Sequence, residues 1–212
     1  MKQYHGIPDI ERLRQWEELQ IPFEYNDFLL PKILDDEEEK ERRVKLYRGL
    51  DRDRNEDTLH GPFLDITVHS RDPLIRKVSD KRIRQACDIA QRLEVKAMIL
   101  HTNLIPNFYD DVYRSGWLES NAEYFTRLLS GYPELCIYME NMFDEEPDSL
   151  VALAEMMDDP RFGICLDIAH CHISRTSIEA WHEACKPYIR HYHLNDNHGH
   201  KDEHLSLGEG TI

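Results

Sequence analysis

The chain has 212 residues, 41% hydrophobic and 32% charged, with 9 Gly and 10 Pro, which excludes a disordered or fibrous polypeptide and indicates one globular domain over 1–212. A formal net charge of −15 repels a phosphate backbone unless the basic residues cluster, so nucleic acid is not the expected partner. No apolar run approaches the ~18 residues of a membrane span, and MKQYHGIPDIERLRQ lacks a signal peptide's apolar core, so a cytoplasmic protein is expected.

Short apolar runs alternate with longer amphipathic segments. Beyond a weak strand at Lys2–Gly6, residues 9–20 carry Ile10, Leu13, Trp16 and Leu19 at helical spacing, and 21–26 (IPFEYN) read as a strand. Residues 34–50 return to helix, with the acidic run Asp35–Glu39 ahead of Lys40, Arg42, Arg43 and Lys45, as the helix dipole favours. Residues 58–66 read as a strand entering a loop. Asp72-Pro73 then opens a helix to Leu93, with Ile75, Val78, Ile83, Ala86, Ile89, Ala90 and Leu93 on one side. The basic residues between Lys77 and Arg92 are spaced like its solvent face. Strands follow at 96–101, 135–140, 162–167 and 189–194, with helices at 118–130, 148–158 and 176–186.

Repeated strand–helix units imply a parallel sheet, because parallel strands need crossover connections. No glycine-rich nucleotide loop follows a strand, and several strands finish in a metal-competent side chain. Both features favour an α/β fold of the TIM (β/α)8-barrel type, whose strand ends converge on one mouth. About six good strands are present, so the barrel is expected to be incomplete at its C-terminus, with the last strand and helix missing. An open barrel exposes sheet edges that invite pairing, and a homo-oligomer fits that expectation.

Eight of the 12 histidines fall between His170 and His204, a clustering that solvation does not explain and metal binding or acid–base chemistry does. Six segments matter: TLH60GP, ILH101TN, YME140N, CLD167IAH170, YH193LND and KD202EH204LSLGEG. In the first four the polar residue follows an apolar run directly and belongs at a strand end. Asp202 and His204 alternate, so extended backbone would point both to one side. Imidazoles and carboxylates without thiolate suit Zn, Mn, Co or Mg. The candidate ligands are therefore His60, His101, Glu140, Asp167, His170, His193, Asp202 and His204, with Glu140 and His170 as catalytic candidates. Asn103, Phe108, Asn195 and Asp196 are candidates for substrate contact, the last two also as groups that orient ligands. Tyr109 shares the loop of Phe108, while Tyr25, Phe28, Phe63 and Trp117 read as packing residues. His5, His69, His172, His182 and His191 read as ordinary hydrogen-bonded histidines, and the five cysteines, with no CxxC pair, as reduced and mostly buried thiols.

From about residue 21 onward the chain resembles the xylose isomerase-like TIM-barrel superfamily, which includes sugar isomerases and epimerases and endonuclease IV. H193LND with D202EH204LSLGEG is similar to the endonuclease IV stretch carrying three zinc ligands. CLD167IAH170 looks like the segment with an aspartate and a histidine ligand, E140N like the bridging glutamate, and His60 and His101 like the two early histidines. The resemblance implies one more ligand, a glutamate on the last strand, for which Glu209 is not the equivalent by position.

The first expectation is a metal-dependent isomerase or epimerase of a small sugar, working by an enediolate-type proton transfer. The second is a multi-zinc phosphodiesterase on abasic DNA, opposed by the net charge and by the acidic, apolar loop NDFLLPKILDDEEE. A lyase or hydrolase on a polyol and a non-catalytic, metal-stabilised binding protein complete the set.

Overall fold

A computed structural model describes residues 21–108 and 110–212. The expected helix at 9–20, the strand at Lys2–Gly6, His5 and Tyr109 lie outside the described residues.

Six strands form one all-parallel sheet in the sequential order β1-β2-β3-β4-β5-β6: Glu24–Tyr25, Thr58–His60, Ala97–His101, Cys136–Glu140, Phe162–Asp167 and Ile189–His193. The sheet curls into a half-barrel, an incomplete TIM barrel as the alternation predicts. Seven described helices connect the strands: α1 Pro31–Leu34, α2 Glu37–Arg48, α3 Pro73–Leu93, α4 Asp111–Gly131, α5 Asp148–Met157, α6 Ile168–Ile173 and α7 Ile178–Cys185. None is long and apolar enough to cross a membrane.

Local chemistry sets the boundaries. The helix expected over 34–50 is Glu37–Arg48, because Asp36 accepts from Glu39 N at 3.0 Å and caps its start at the acidic run, and the separate short helix Pro31–Leu34 precedes it. Likewise Asp110 accepts from Tyr113 N at 2.7 Å, so α4 begins seven residues before the expected 118. The strand expected over 58–66 ends at His60, where Gly61-Pro62 follows, and that expected over 21–26 shortens to Glu24–Tyr25. On α3, Ile83, Ala86, Ile89, Ala90 and Leu93 are buried, whereas Ile75 and Val78 are exposed on turns that stand clear of the sheet.

Successive strand residues face opposite ways. Leu59, Met98, Leu100, Ile137, Met139, Ile164 and Leu166 join the helices in the apolar core. The alternate residues face the barrel interior, and they are where the polar chemistry lies.

Candidate metal centre

The mouth is assembled by strand termini. β2 ends at His60, β3 at His101, β4 at Glu140, β5 at Asp167 and β6 at His193, so parallel pairing between neighbours places five polar side chains along one arc. Gly61 makes the close approach behind His60 feasible. Its N–H donates to the Ile99 carbonyl at 2.8 Å, and a Cβ there would lie 3.0 Å from that same oxygen.

Three triads of candidate ligand atoms result, each with its atoms within 4.8 Å of one another: His60, His101 and Glu140; Glu140, Asp167 and His193; and His170, Asp202 and His204. Glu140 belongs to two of them and is 1% exposed, so one buried carboxylate joins the first two positions.

Hydrogen-bond accounting shows what the cluster lacks. His170 Nδ1 lies 2.7 Å from the Asn141 carbonyl oxygen, which only accepts, so Nδ1 carries a proton. Its Nε2 then faces Asp202 Oδ2 at 3.3 Å. His60 repeats the arrangement, with Nδ1 3.0 Å from the Gly61 carbonyl and Nε2 3.4 Å from Glu140 Oε2. In His193 both nitrogens meet carboxylates, Nδ1 at 2.8 Å from Glu140 Oε1 and Nε2 at 3.0 Å from Glu24 Oε2. A neutral imidazole has one proton, so each ring turns a lone pair toward an acceptor unless it is doubly protonated or a cation lies between.

Double protonation throughout is costly. His60 sits with ring centroids 5.0 Å from His101 and 6.0 Å from His193, and His101 lies 6.2 Å from His170, so imidazolium charges would repel at short range in a buried site. Burial holds His101 below its ordinary range despite Glu140, which keeps it in the neutral, ligating form. Glu140 Oε2 and His101 Nε2 approach to 3.0 Å, yet Oε2 has no hydrogen-bond partner. His101 Nδ1 and Asp202 Oδ1 are also buried without partners. Ligand atoms converging without donor–acceptor geometry fit a shared divalent cation, and nitrogen with oxygen donors suits zinc, cobalt or manganese.

Residues 20–212 match the family described as xylose isomerase-like TIM barrel. The chain belongs to that family. An uncharacterized protein of Methanocaldococcus jannaschii is 29% identical over 172 residues, covering 76% of this chain and 58% of the relative. A probable endonuclease 4 of Mesomycoplasma hyopneumoniae is 22% identical, covering 73% of this chain and 60% of the relative. The chain thus spans about three fifths of the length of these curated relatives. Among solved structures, a Thermus thermophilus protein soaked with ZnCl2 superposes with a TM-score of 0.77 at 23% identity, covering 94% of this chain and 78% of that one. A D-tagatose 3-epimerase-like protein gives 0.71 at 23% identity, covering 91% and 82%. At these identities the structures share the fold.

In this xylose isomerase-like chain the shell behind the candidate ligands is specific. Asp167 Oδ1 caps α6, accepting from Ala169 N at 2.7 Å and His170 N at 2.9 Å, while Oδ2 accepts from Asn195 Nδ2 at 2.9 Å. Asn141 stitches β4 to β5, accepting from Asp167 N at 2.9 Å and donating to the Asp167 carbonyl at 3.1 Å. Asp202 and His204 do share a side, but not through extended backbone. His204 adopts a left-handed φ of 51°, which a side chain this large rarely takes, and its Nε2 lies 2.9 Å from Asp202 Oδ2. Burial works against the charge on Asp202, yet His170 and His204 hold its carboxyl well below the usual range. Burial likewise opposes charging of His170, but with no cation present Asp202, Asp167 and Glu140 raise it to about 9, so a bound ion has to displace the Nε2 proton there.

The remaining candidates lie farther out. Asp196 is fully buried and its carboxylate accepts backbone N–H groups from Asn197, Gly208, Gly210 and Ile212, so it anchors the 206–212 turn. Asn103 has a left-handed φ of 46° and donates to the His101 carbonyl at 3.3 Å. Phe108 is exposed and packs its ring 5.1 Å from Tyr113. His172 meets Asn197 Oδ1 at 2.8 Å. Sequence reasoning missed Glu24 and the part played by Asn141. Glu24 had a visible cue, a carboxylate between Phe23 and Tyr25 in a strand whose alternate residues face the barrel interior.

Proposed function

We propose that this chain is a divalent-metal isomerase or epimerase of a small sugar or sugar derivative, with Glu140, Asp167 and His193 holding the ion that meets the substrate. The observation that carries this reading is the buried Glu140 carboxylate, shared by two ligand triads with one oxygen unpartnered. A cation bound there supplies Lewis acidity, polarising a carbonyl and its neighbouring hydroxyl so that the intervening C–H becomes acidic. Burial opposes ionisation of Glu140, but His193 and His101 hold its carboxyl well below the usual range, so it is present as the acceptor form. Asn195 and the α6 N-terminus fix Asp167, and Asn141 fixes His170, so the polar groups are oriented before substrate arrives.

The acidic character of the rim supports a neutral, polyhydroxylated substrate. In the segment after β1 several basic groups are engaged internally: Arg43 on Asp27 at 3.0 Å, Lys40 on Glu37 at 2.6 Å, and Arg82 of α3 on Asp35 at 2.6 Å. Those three cations are committed to carboxylates rather than to a phosphate backbone.

A second reading, phosphodiester hydrolysis, is favoured by the third triad, His170, Asp202 and His204, which a one-metal isomerase does not need. Metal-loaded protein in deuterated water, offered a panel of ketoses and aldoses, separates the two. Deuterium entering the carbon beside the carbonyl supports the isomerase. Cleavage of an abasic-site duplex without any such exchange overturns it.

A further inference from the structure

Beneath the mouth lies a second polar layer that a TIM barrel ordinarily fills with branched apolar side chains. Two residues below Asp167 and His193, β5 and β6 carry Cys165 and His191, which are register partners, and β1 contributes Glu24. Cys165 is fully buried, and its Sγ and ring nitrogens of His191 and His193 lie within 4.8 Å of one another. Glu24 Oε2 is 3.6 Å from His191 Nε2 and 3.0 Å from His193 Nε2. Its other close polar neighbour is the Thr58 hydroxyl, which donates at 3.0 Å. The carboxylate side chain is 5% exposed, and its facing groups are two imidazoles and that hydroxyl, with no Lys or Arg among these contacts. His191 Nε2 is buried without a hydrogen-bond partner.

We propose that Cys165, His191 and Glu24, with His193 as the wall shared with the mouth, form an inner site for a thiophilic divalent cation of the zinc type. Three features point to it together: a buried carboxylate needing a counter-charge, an imidazole nitrogen with nothing to bond, and a thiol within ligating reach of both rings. The donor set of one sulfur, two nitrogens and one oxygen is one that tetrahedral zinc accepts, and manganese or magnesium does not prefer. Binding releases the Cys165 thiol proton to solvent and leaves the sulfur as thiolate on the ion; where the mouth is also loaded, the remaining ring proton of His193 leaves as well and the imidazolate bridges the two ions through Nε2 and Nδ1. The site differs in chemistry from the mouth, whose triads contain no sulfur. It does not depend on the sugar reading, since only His193 is common to both.

Cobalt(II) chloride titrated into metal-free protein tests it, because thiolate ligation alone gives a near-ultraviolet sulfur-to-cobalt charge-transfer band. The band is expected in the wild type and in Glu140→Ala, which removes the carboxylate shared by two mouth triads. In Cys165→Ser it should vanish and the bound cobalt should fall by one equivalent, while the buried but remote Cys87→Ser keeps both. Should Cys165→Ser fail to fold, His191→Gln provides the second arm, with the band's midpoint moving at least tenfold higher in cobalt. Absence of the band from wild-type protein loaded with cobalt, its survival in Cys165→Ser, or an unmoved midpoint in His191→Gln each overturns the inner site. Wild-type protein that shows the band but takes up no further equivalent of cobalt would count against the sugar reading alone.

Discussion

Two buried carboxylates at opposite ends of the same half-barrel have opposite surroundings. Asp57, just before β2, faces Arg52 at 2.6 Å with both side chains essentially inaccessible. It also accepts from Phe23 N at 2.7 Å and Tyr25 OH at 2.8 Å, and the Arg52 guanidinium stacks 3.5 Å over the Phe23 ring. Glu140, at the end of β4, faces imidazoles and the Asp167 carboxylate and keeps an oxygen without a hydrogen bond. Where the fold needs β1 tied to β2, the chain supplies its own permanent cation. At the mouth the chain sets titratable imidazoles and a second carboxylate around Glu140 instead, the groups that the proposed cation would join. That is the division between the stabilising and reactive ends of a TIM barrel, read here from hydrogen bonds.

The sharpest break of this contrast is Glu140→Ala. Removing the group shared by two triads should lower zinc affinity at the mouth by more than the ~10–100-fold typical of an orienting residue. The metal-free protein should also unfold at a lower urea concentration than the wild type, because the carboxyl that His193 and His101 hold low stabilises the fold when charged. Calorimetric zinc titration beside urea melts measures both, and unchanged zinc stoichiometry sinks the ligand assignment.

Asp57→Ala should act on stability and spare the metal. It leaves Arg52 buried without its partner and should cost about 3–5 kcal/mol in urea unfolding. Zinc affinity per folded molecule should be little altered. A loss below about 1 kcal/mol would mean that this end does not depend on the pair.

The two ends were not equally legible in the sequence. The mouth was, because strand-terminal His, Asp and Glu after apolar runs need only strand periodicity to be gathered. The half-barrel followed from the same alternation. The lock was not, because Arg52 and Asp57 sit in a polar connection, RGLDRDRNED, where local pattern says nothing about which charge is buried. The inner layer was obscured for a different reason. His191 and Cys165 look like ordinary buried strand residues until the β5–β6 register, which shifts between Ile164 and Cys165, sets them opposite each other. Register depends on a bulge that no single-strand pattern displays.

Asn195→Ala sharpens the comparison from the mouth's side. Asn195 donates to Asp167 Oδ2 at 2.9 Å and should matter through orientation alone. Zinc affinity is expected to fall ~10–100-fold with stoichiometry retained, and Asn195→Asp should not restore it, since a carboxylate cannot donate that bond. Complete loss of one equivalent of zinc would promote Asn195 from support to ligand.

His69 supplies the smallest effect and a third kind of buried polar group, with neither a fixed counter-charge nor ligand neighbours. Its ring lies 5.9 Å from Tyr113 and 6.3 Å from Trp117, and its Nε2 is 3.4 Å from the Tyr113 hydroxyl. Burial pushes the imidazole down from 6.5 to about 4. Below pH 6.5 the unfolded chain therefore takes up a proton that the folded chain refuses until about pH 4. Folded-state stability falls across that window as the pH drops and is untouched by this group above it. Solvent screening of the half-buried ring limits the loss to about 1–2 kcal/mol. Urea midpoints of metal-free wild type and His69→Gln, followed from pH 7 to pH 4, should diverge in that window, with the variant less acid-sensitive. Because every mouth histidine titrates identically in both proteins, the difference curve isolates His69, and parallel curves would show that its ring is solvated.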